Sequence, residues 1–437
     1  MRTAAFVALL ACCGGPAWAE PLGDAAREAA SPPADAPPEP SPEPYCLLTT
    51  DRLTGDWFGA RPWLGDRGIE FNMSLTSIYQ QNFRGGVQTH RGHRFTGSAD
   101  YELTLDLEGL GLWKGGRIYT WAESGWNEAI DDRVGDLFGV NGDAIGDRSI
   151  WVHELYYEHS FLEGRIRFKA GKIDLTNDID TNAYANDETS QFLNTALVNT
   201  GNIPGPPPGL AAVLILKPVD WFYIGFGAGD AQADIRETGF RTAFHGEDAF
   251  ISGTEFGFLP TWKTPWGRLP GAYRFALWHD GRSRPVFFDD LDGRRLTIPR
   301  KRDDVGFYFN MDQLVLKEHP DDDVDEQGLG FFFRYGYAHG DANLIEHFWS
   351  VGGQYQGLIP TRDDDVLGFG VAQGILSDAL RLTGETPHRE TVLELYYRIA
   401  LTPWLSISPD VQWILDPGGV LTTTDAFVAG LRVRADF

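Results

Sequence analysis

Cysteine is nearly missing from this chain: there are three in 437 residues, and Cys12 and Cys13 lie close to the start. A disulfide framework is excluded, because a chain cut after a leader peptide keeps Cys46 alone. Long apolar runs are missing too. A membrane-crossing helix needs ~18 or more consecutive apolar residues, and the longest candidate, GLAAVLIL at 209–216, is far shorter. Basic residues are scarce: 37 Lys and Arg against 62 Asp and Glu leave a formal charge of −25. That balance excludes nucleic acid as a partner, since phosphates demand a basic face.

Catalytic templates are absent as well. HELYYEH at 153–159 lacks the second His at the spacing that lets two imidazoles share a zinc. GFGAGD at 225–230 lacks the third Gly of a dinucleotide loop, and DDDVDEQGLGFF at 321–332 has Glu326 and Phe332 where a calcium loop needs Gly and Glu. No GxSxG elbow occurs. The acidic runs at 321–325, 289–292 and 363–365 read as solvated turns, because like charges prefer water. The chain is expected to carry no cofactor, no metal and no covalent chemistry.

What is present begins with MRTAAFVALLACCGGPAWAEP, a short apolar run followed by Ala17-Trp18-Ala19, which reads as a signal peptide over 1–19. Cys12 in LLAC offers a competing lipoprotein reading. Residues 20–50 are rich in Pro, Ala and acid and form a periplasmic tether with no core of its own, leaving 51–437 as the folded unit. LTGDWFGARPWLG, from 53, predicts a short helical turn before the first strand.

From there a period of two takes over. Ile69, Phe71, Met73 and Leu75 oppose Glu70, Asn72, Ser74 and Thr76; Leu393, Leu395, Tyr397 and Ile399 oppose Glu394, Tyr396 and Arg398. Roughly sixteen such runs occur, near 69–83, 95–107, 115–126, 148–161, 165–174, 209–217, 221–232, 253–263, 271–281, 303–316, 327–338, 345–358, 365–376, 389–401, 404–415 and 425–437. Long links (127–147, 175–208, 233–252, 282–302) follow odd strands, and short ones (162–164, 218–220, 402–403) follow even strands. That alternation predicts an all-β, transmembrane, antiparallel up-and-down barrel with long extracellular loops. Trp113, Trp221, Trp266 and Trp404 sit at short links, as an interfacial aromatic girdle requires. The last strand, FVAGLRVRADF, turns one greasy face to lipid and one charged face to an aqueous lumen, and sixteen strands leave room for a channel.

The chain resembles the carbohydrate-selective porins of the OprB family. The resemblance is carried by LTGDWFGARPWLGDRGI at 53–69, FKAGKIDL and NDETSQFLNTAL within 168–197, SPDVQWILDPGG at 408–419 and the terminal Phe437. It implies a sixteen-stranded barrel with inward-folded loops in the outer membrane of a Gram-negative bacterium, and diffusion of glucose-type sugars. It also implies recognition of Phe437 by the barrel-assembly machinery. Expected partners are small neutral sugars and outer-membrane lipid with lipopolysaccharide, for a monomer or homotrimer. The alternatives are a general or ion-selective porin, a barrel-embedded enzyme, and a secreted β-sandwich lectin.

Candidate sugar contacts come from the two long early loops and the charged strand faces. Loop amides and acids, Asn177, Asp180, Asn182, Asn186, Gln191 and Asn194, supply donors and acceptors for hydroxyls, and Trp121, Trp126 or Phe192 supply stacking faces. Arg117, Tyr119, Glu123, Arg165, Arg167, Lys169, Arg274, Arg334, Arg398, Arg432 and Arg434 face the lumen and tune its field. The competing reading of the loop is structural: a short helix capped by Asp187 or Thr189 that packs Phe192 and Leu193 on the wall. For the strands it is charge pairing across the wall. Lys172 and Asp174 fall out of parity with Lys169, so the strand bulges at Gly171 or ends there.

Overall fold

The computed structural model describes residues 46–235, 249–287, 299–322, 325, 327–383 and 386–437. The expected signal peptide, nearly all of the tether, and the acidic run 289–292 lie outside them. Sixteen strands follow in order: β1 (Ile69–Gly86), β2 (His93–Asp106), β3 (Gly116–Trp126), β4 (Arg148–Phe161), β5 (Ile166–Ile173), β6 (Gly209–Val219), β7 (Phe222–Asp230) and β8 (Phe250–Phe258, prolonged by Thr261–Thr264). The second half comprises β9 (Gly267–Asp280), β10 (Asp304–Lys317), β11 (Gly328–Ala338), β12 (Ile345–Gln356), β13 (Val366–Leu376), β14 (Arg389–Thr402), β15 (Leu405–Leu415) and β16 (Thr424–Asp436). A two-residue ladder, Arg284–Pro285 with Arg300–Lys301, sits in the loop after β9.

Each strand pairs antiparallel with its sequence neighbour, and β16 pairs with β1 from Ser74↔Asp436 to Gly86↔Thr424. The sheet is therefore closed, and no row of backbone groups is left unpaired in lipid. Phe437 completes the seam by donating its N–H to the Met73 carbonyl at 2.8 Å.

The two faces differ as the alternation requires. Outward positions carry large apolar side chains left bare, among them Phe168 (39% exposed), Phe275 (41%), Phe369 (49%), Leu395 (43%) and Leu431 (43%). A water-soluble protein would cover so continuous a belt, so the belt faces hydrocarbon. Trp113, Trp221, Trp266 and Trp404 lie at the short-turn rim, and Trp113 donates to the Tyr157 hydroxyl at 3.0 Å. Short turns define the periplasmic end of such barrels.

Below that rim, residues 46–68 underpin the seam. Leu53 N–H donates to the Asp436 carbonyl, Arg61 to the Phe71 carbonyl and the Trp404 indole to the Leu47 carbonyl. The expected helical turn is α1 (Ala60–Gly65). Gly171 keeps its place in the β4–β5 ladder, opposite Tyr156, so there is no bulge and the strand ends at Ile173. Its φ of 148° admits no side chain, because a Cβ would stand 2.3 Å from the Leu155 carbonyl.

Several ladders shift register, and one of these shifts bears on the lumen. The β3–β4 register shifts between Trp121↔Glu154 and Ala122↔Val152, a bulge that buries both His153 and Glu154.

Candidate functional site

Two loops from the extracellular rim fold into the lumen. Residues 127–147 carry α2 (Asp131–Val134), and 174–208 carry a 3-10 turn at Leu175–Asn177 and α3 (Thr195–Val198). Their apolar side chains cover the inner face of the C-terminal half of the barrel. Ile130, Val134, Phe192 and Leu197 form one buried cluster with Phe332, Phe348, Val392, Tyr396, Ile414 and Val428. Phe192 meets Phe332 and Tyr396 edge-on at 5.6 and 5.1 Å. Glycine makes the seats: a Cβ at Gly370 would lie 2.8 Å from a Leu197 methyl, and one at Gly330 would overlap the Tyr184 ring.

Polar residues of the wall hold the loop backbone. Glu394 accepts the N–H groups of Leu193 and Asn194 at 2.6 and 2.9 Å, and Glu390 accepts those of Leu137 and Gly418 at 2.8 and 2.7 Å. Gln412 ties both loops, donating to the Val140 carbonyl at 2.9 Å and accepting from the Asn194 amide at 3.0 Å. Arg334 is fully buried and donates to the Leu197 and Ala185 carbonyls, with Asp180 beside its guanidinium at 3.5 Å.

The loop amides are accordingly engaged in their own fold. Asp180, with φ 57°, accepts from Thr200 and Asn310. Asn182 bonds Asn310, and Asn186 accepts from the Asn182 N–H. Gln191 accepts the N–H groups of Asn186 and Asp187 and donates to the Ala183 carbonyl. Asn177 is buried in its turn, and Asn194 caps α3 by accepting from Ala196. The cap expected at Asp187 or Thr189 instead closes a local turn, with Thr189 and Ser190 donating to the Asp187 carboxylate.

Of the stacking candidates, Phe192 is spent in the core. Trp121 is buried with its indole donating to Asp100 at 3.1 Å and its ring 4.0 Å from His153. Trp126 requires a correction. It pairs with Gly97 and stands against Phe95, an outward residue, with ring centroids 6.1 Å apart. It lies five positions after inward Trp121, an odd step, so a regular strand turns it to lipid.

The charged strand positions divide in two. Arg274 is buried against Asp312 at 2.6 Å, and Arg432 is buried and donates to the Glu188 carbonyl at 2.8 Å, so both serve as wall ties, as does Arg334. Lys169 is buried between Asp178 at 2.7 Å and Glu154 at 3.7 Å, over the Tyr156 ring. Glu123 stands 3.0 Å from His153, whose other ring nitrogen is 3.3 Å from Asp174. Arg165 lies at the periplasmic rim, paired with Asp220 at 3.0 Å. Arg167 reaches Asp178 at 3.4 Å.

Half-exposed inward positions include Asn72, Glu102, Thr104, Arg117, Tyr119, Arg398 and Arg434 on β14, β16 and β1–β3, with Arg167 on β5, Ser406 on β15 and Gln356 on β12 besides. Arg117 pairs with Glu158 at 3.1 Å; Arg434 reaches Asp436 at 3.1 Å and bonds the Thr189 hydroxyl of the loop.

Acids concentrate where the loops meet the wall. Burial, then Asp131, pushes Asp136 up to about 7; burial, then the Asp187 carboxylate, pushes Glu188 up to about 7. Asp143 is raised well above the ordinary range by burial and by Asp100 and Glu188, despite accepting from Ser98 at 2.7 Å. The run at 363–365 is not wholly solvated either: Asp365 is buried, held by Arg362, Tyr397 and the Ala400 N–H. Sequence reasoning missed Glu390, Glu394 and Gln412 as loop ties. Gln412 and Gly418 lie inside the motif at 408–419, the one signal that marks them.

A closed barrel with a bare apolar exterior, a polar interior and loops folded in to narrow it is an outer-membrane channel. The chain belongs to the OprB family of carbohydrate-selective porins, whose family model matches residues 90–437; the opening motif at 53–69 precedes that match. It is a channel for sugars in the outer membrane of a Gram-negative bacterium. Porin B of Pseudomonas aeruginosa is 24% identical, over 88% of this chain and 91% of that protein. The putative porin QuiX of Acinetobacter baylyi is 23% identical, over 88% and 93%. The high-pH structure of Pseudomonas putida OprB superposes with a TM-score of 0.78 at 22% identity, over 90% of this chain and all of that one.

Proposed function

We propose that this channel selects monosaccharides of the glucose type at the gap between the 174–208 loop and the wall formed by β14, β16 and β1–β3. The observation that carries the reading is the division of labour among polar groups. Loop amides are consumed in holding the loop, whereas Asn72, Glu102, Thr104, Arg117, Tyr119, Arg398 and Arg434 stay half-exposed on the inward side. Mixed donors and acceptors with one aromatic face suit a neutral polyol, and contact through a few such groups keeps binding weak enough for release. The pore is complete within one chain, so the reading holds for a monomer or a homotrimer. Phe437, at the seam, serves as the signal read by the barrel-assembly machinery.

Liposome swelling tests the selectivity. Glucose should enter faster than a size-matched uncharged amino acid, and R117S and R434S should reduce that preference while leaving the barrel folded. Equal rates ordered by size alone would make the protein a general porin.

A further inference from the structure

The lipid-facing wall is not smooth. A groove of about 730 Å³ crosses β5 to β11 on the outside of the barrel. Its floor is a row of small outward residues in register, Ala212↔Ala228↔Ser252. One flank is the next row, Phe168↔Leu214↔Phe226, and the groove ends at Leu277 and Val305. Phe226, Leu277 and Val305 are 41%, 52% and 53% exposed, so nothing among the described residues fills the trench.

Its upper end is polar, and two arginines precede that end in the chain. His279, which pairs with Ser252 and Val305 across the ladder, stands 3.1 Å from Asp303. Just beyond Val305, Arg300 and Arg302 are exposed, and Arg300 bonds the hydroxyl and carbonyl of Ser283, both neutral groups. Odd strands run toward the long-loop rim, so this end faces the outer leaflet.

We propose that the groove is a binding site for one acyl chain of a phosphorylated outer-leaflet lipid, its phosphate resting on Arg300 and Arg302. Small residues flanked by aromatic and aliphatic walls leave a depression that hydrocarbon fills, and guanidinium groups bind phosphate bidentately. A channel so placed carries a fixed lipid at one azimuth of its wall.

The test is native mass spectrometry of refolded full-length protein in mild detergent, titrated with lipid A and with its dephosphorylated form. Wild type should retain one lipid A. A228W, which fills the floor, should weaken retention of both lipids at least tenfold. R300E/R302E should weaken lipid A about tenfold and leave the dephosphorylated form unchanged. Unaltered glucose swelling in every variant verifies the fold. Retention unaffected by A228W overturns the site, and a second copy of the chain bound there in place of lipid overturns the occupant. Equal binding of both lipids to wild type overturns the phosphate contact.

Discussion

Removing the Glu394 carboxylate should release the constriction without dismantling the barrel. That side chain projects inward from β14 and accepts two N–H groups of the loop, Leu193 at 2.6 Å and Asn194 at 2.9 Å. In E394A both donors remain buried without an acceptor, at a cost of about 1–3 kcal/mol each, so loop docking weakens by about 2–6 kcal/mol. At about 1.4 kcal/mol per factor of ten, the undocked population rises roughly thirty-fold to twenty-thousand-fold. The β13–β14–β15 ladders use backbone groups alone and stay intact. Single-channel recording in planar bilayers should show larger, noisier conductance, and liposomes should admit a disaccharide nearly as fast as glucose. E394Q keeps an acceptor oxygen and should fall between the two. Wild-type conductance and sugar ratio in E394A would refute the claim that Glu394 latches the loop.

The loop core makes a parallel prediction: F192A removes a fully buried ring and should weaken loop docking by about 3–5 kcal/mol, read as loop hydrogen exchange with protected strands. G370V, which places carbon against Leu197, should raise conductance in the same way. Asp136 gives a pH dependence. Its folded pKa, about 7, lies above an unfolded value of about 3.9, so its contribution is fully present below pH ~4 and is lost as pH rises through about 7. Conductance noise should therefore grow between pH 5 and 8, and D136N should flatten that rise. Orientation is checked by Cys46, exposed beside the short-turn rim: a membrane-impermeant maleimide too large for the pore should label it only after the outer membrane is opened.

The wall was legible because it repeats. Each strand confronts lipid on one side and water on the other, and that contrast writes itself into every second residue, so sixteen runs were countable before any contact was known. Trp126 was legible too, by the odd step from Trp121, but its neighbourhood with Trp121 and Glu123 drew it into the lumen set. The bulge at His153 leaves no trace in the period, since both residues it buries are polar. The loop ties were hidden for another reason. Leu193 and Glu394 lie 201 residues apart, and Asn194 and Gln412 lie 218 apart. No local pattern joins them, so Asn186, Gln191 and Asn194 read as free amides when they are the loop's own framework.

The start of the 174–208 loop is held by His153 and Lys169 on earlier strands, but the seats of its middle and end lie on strands that come later in the chain: Gly330, Arg334, Gly370, Glu394 and Gln412. The wall is closed by backbone ladders between strands, whereas the loop is docked by side chains that join residues 201 and 218 apart in the chain. Two properties usually treated as one are thereby separated, since insertion into the bilayer depends on the wall whereas sieving depends on the docked loop. A lesion in a seat would yield a chain that assembles on schedule and leaks.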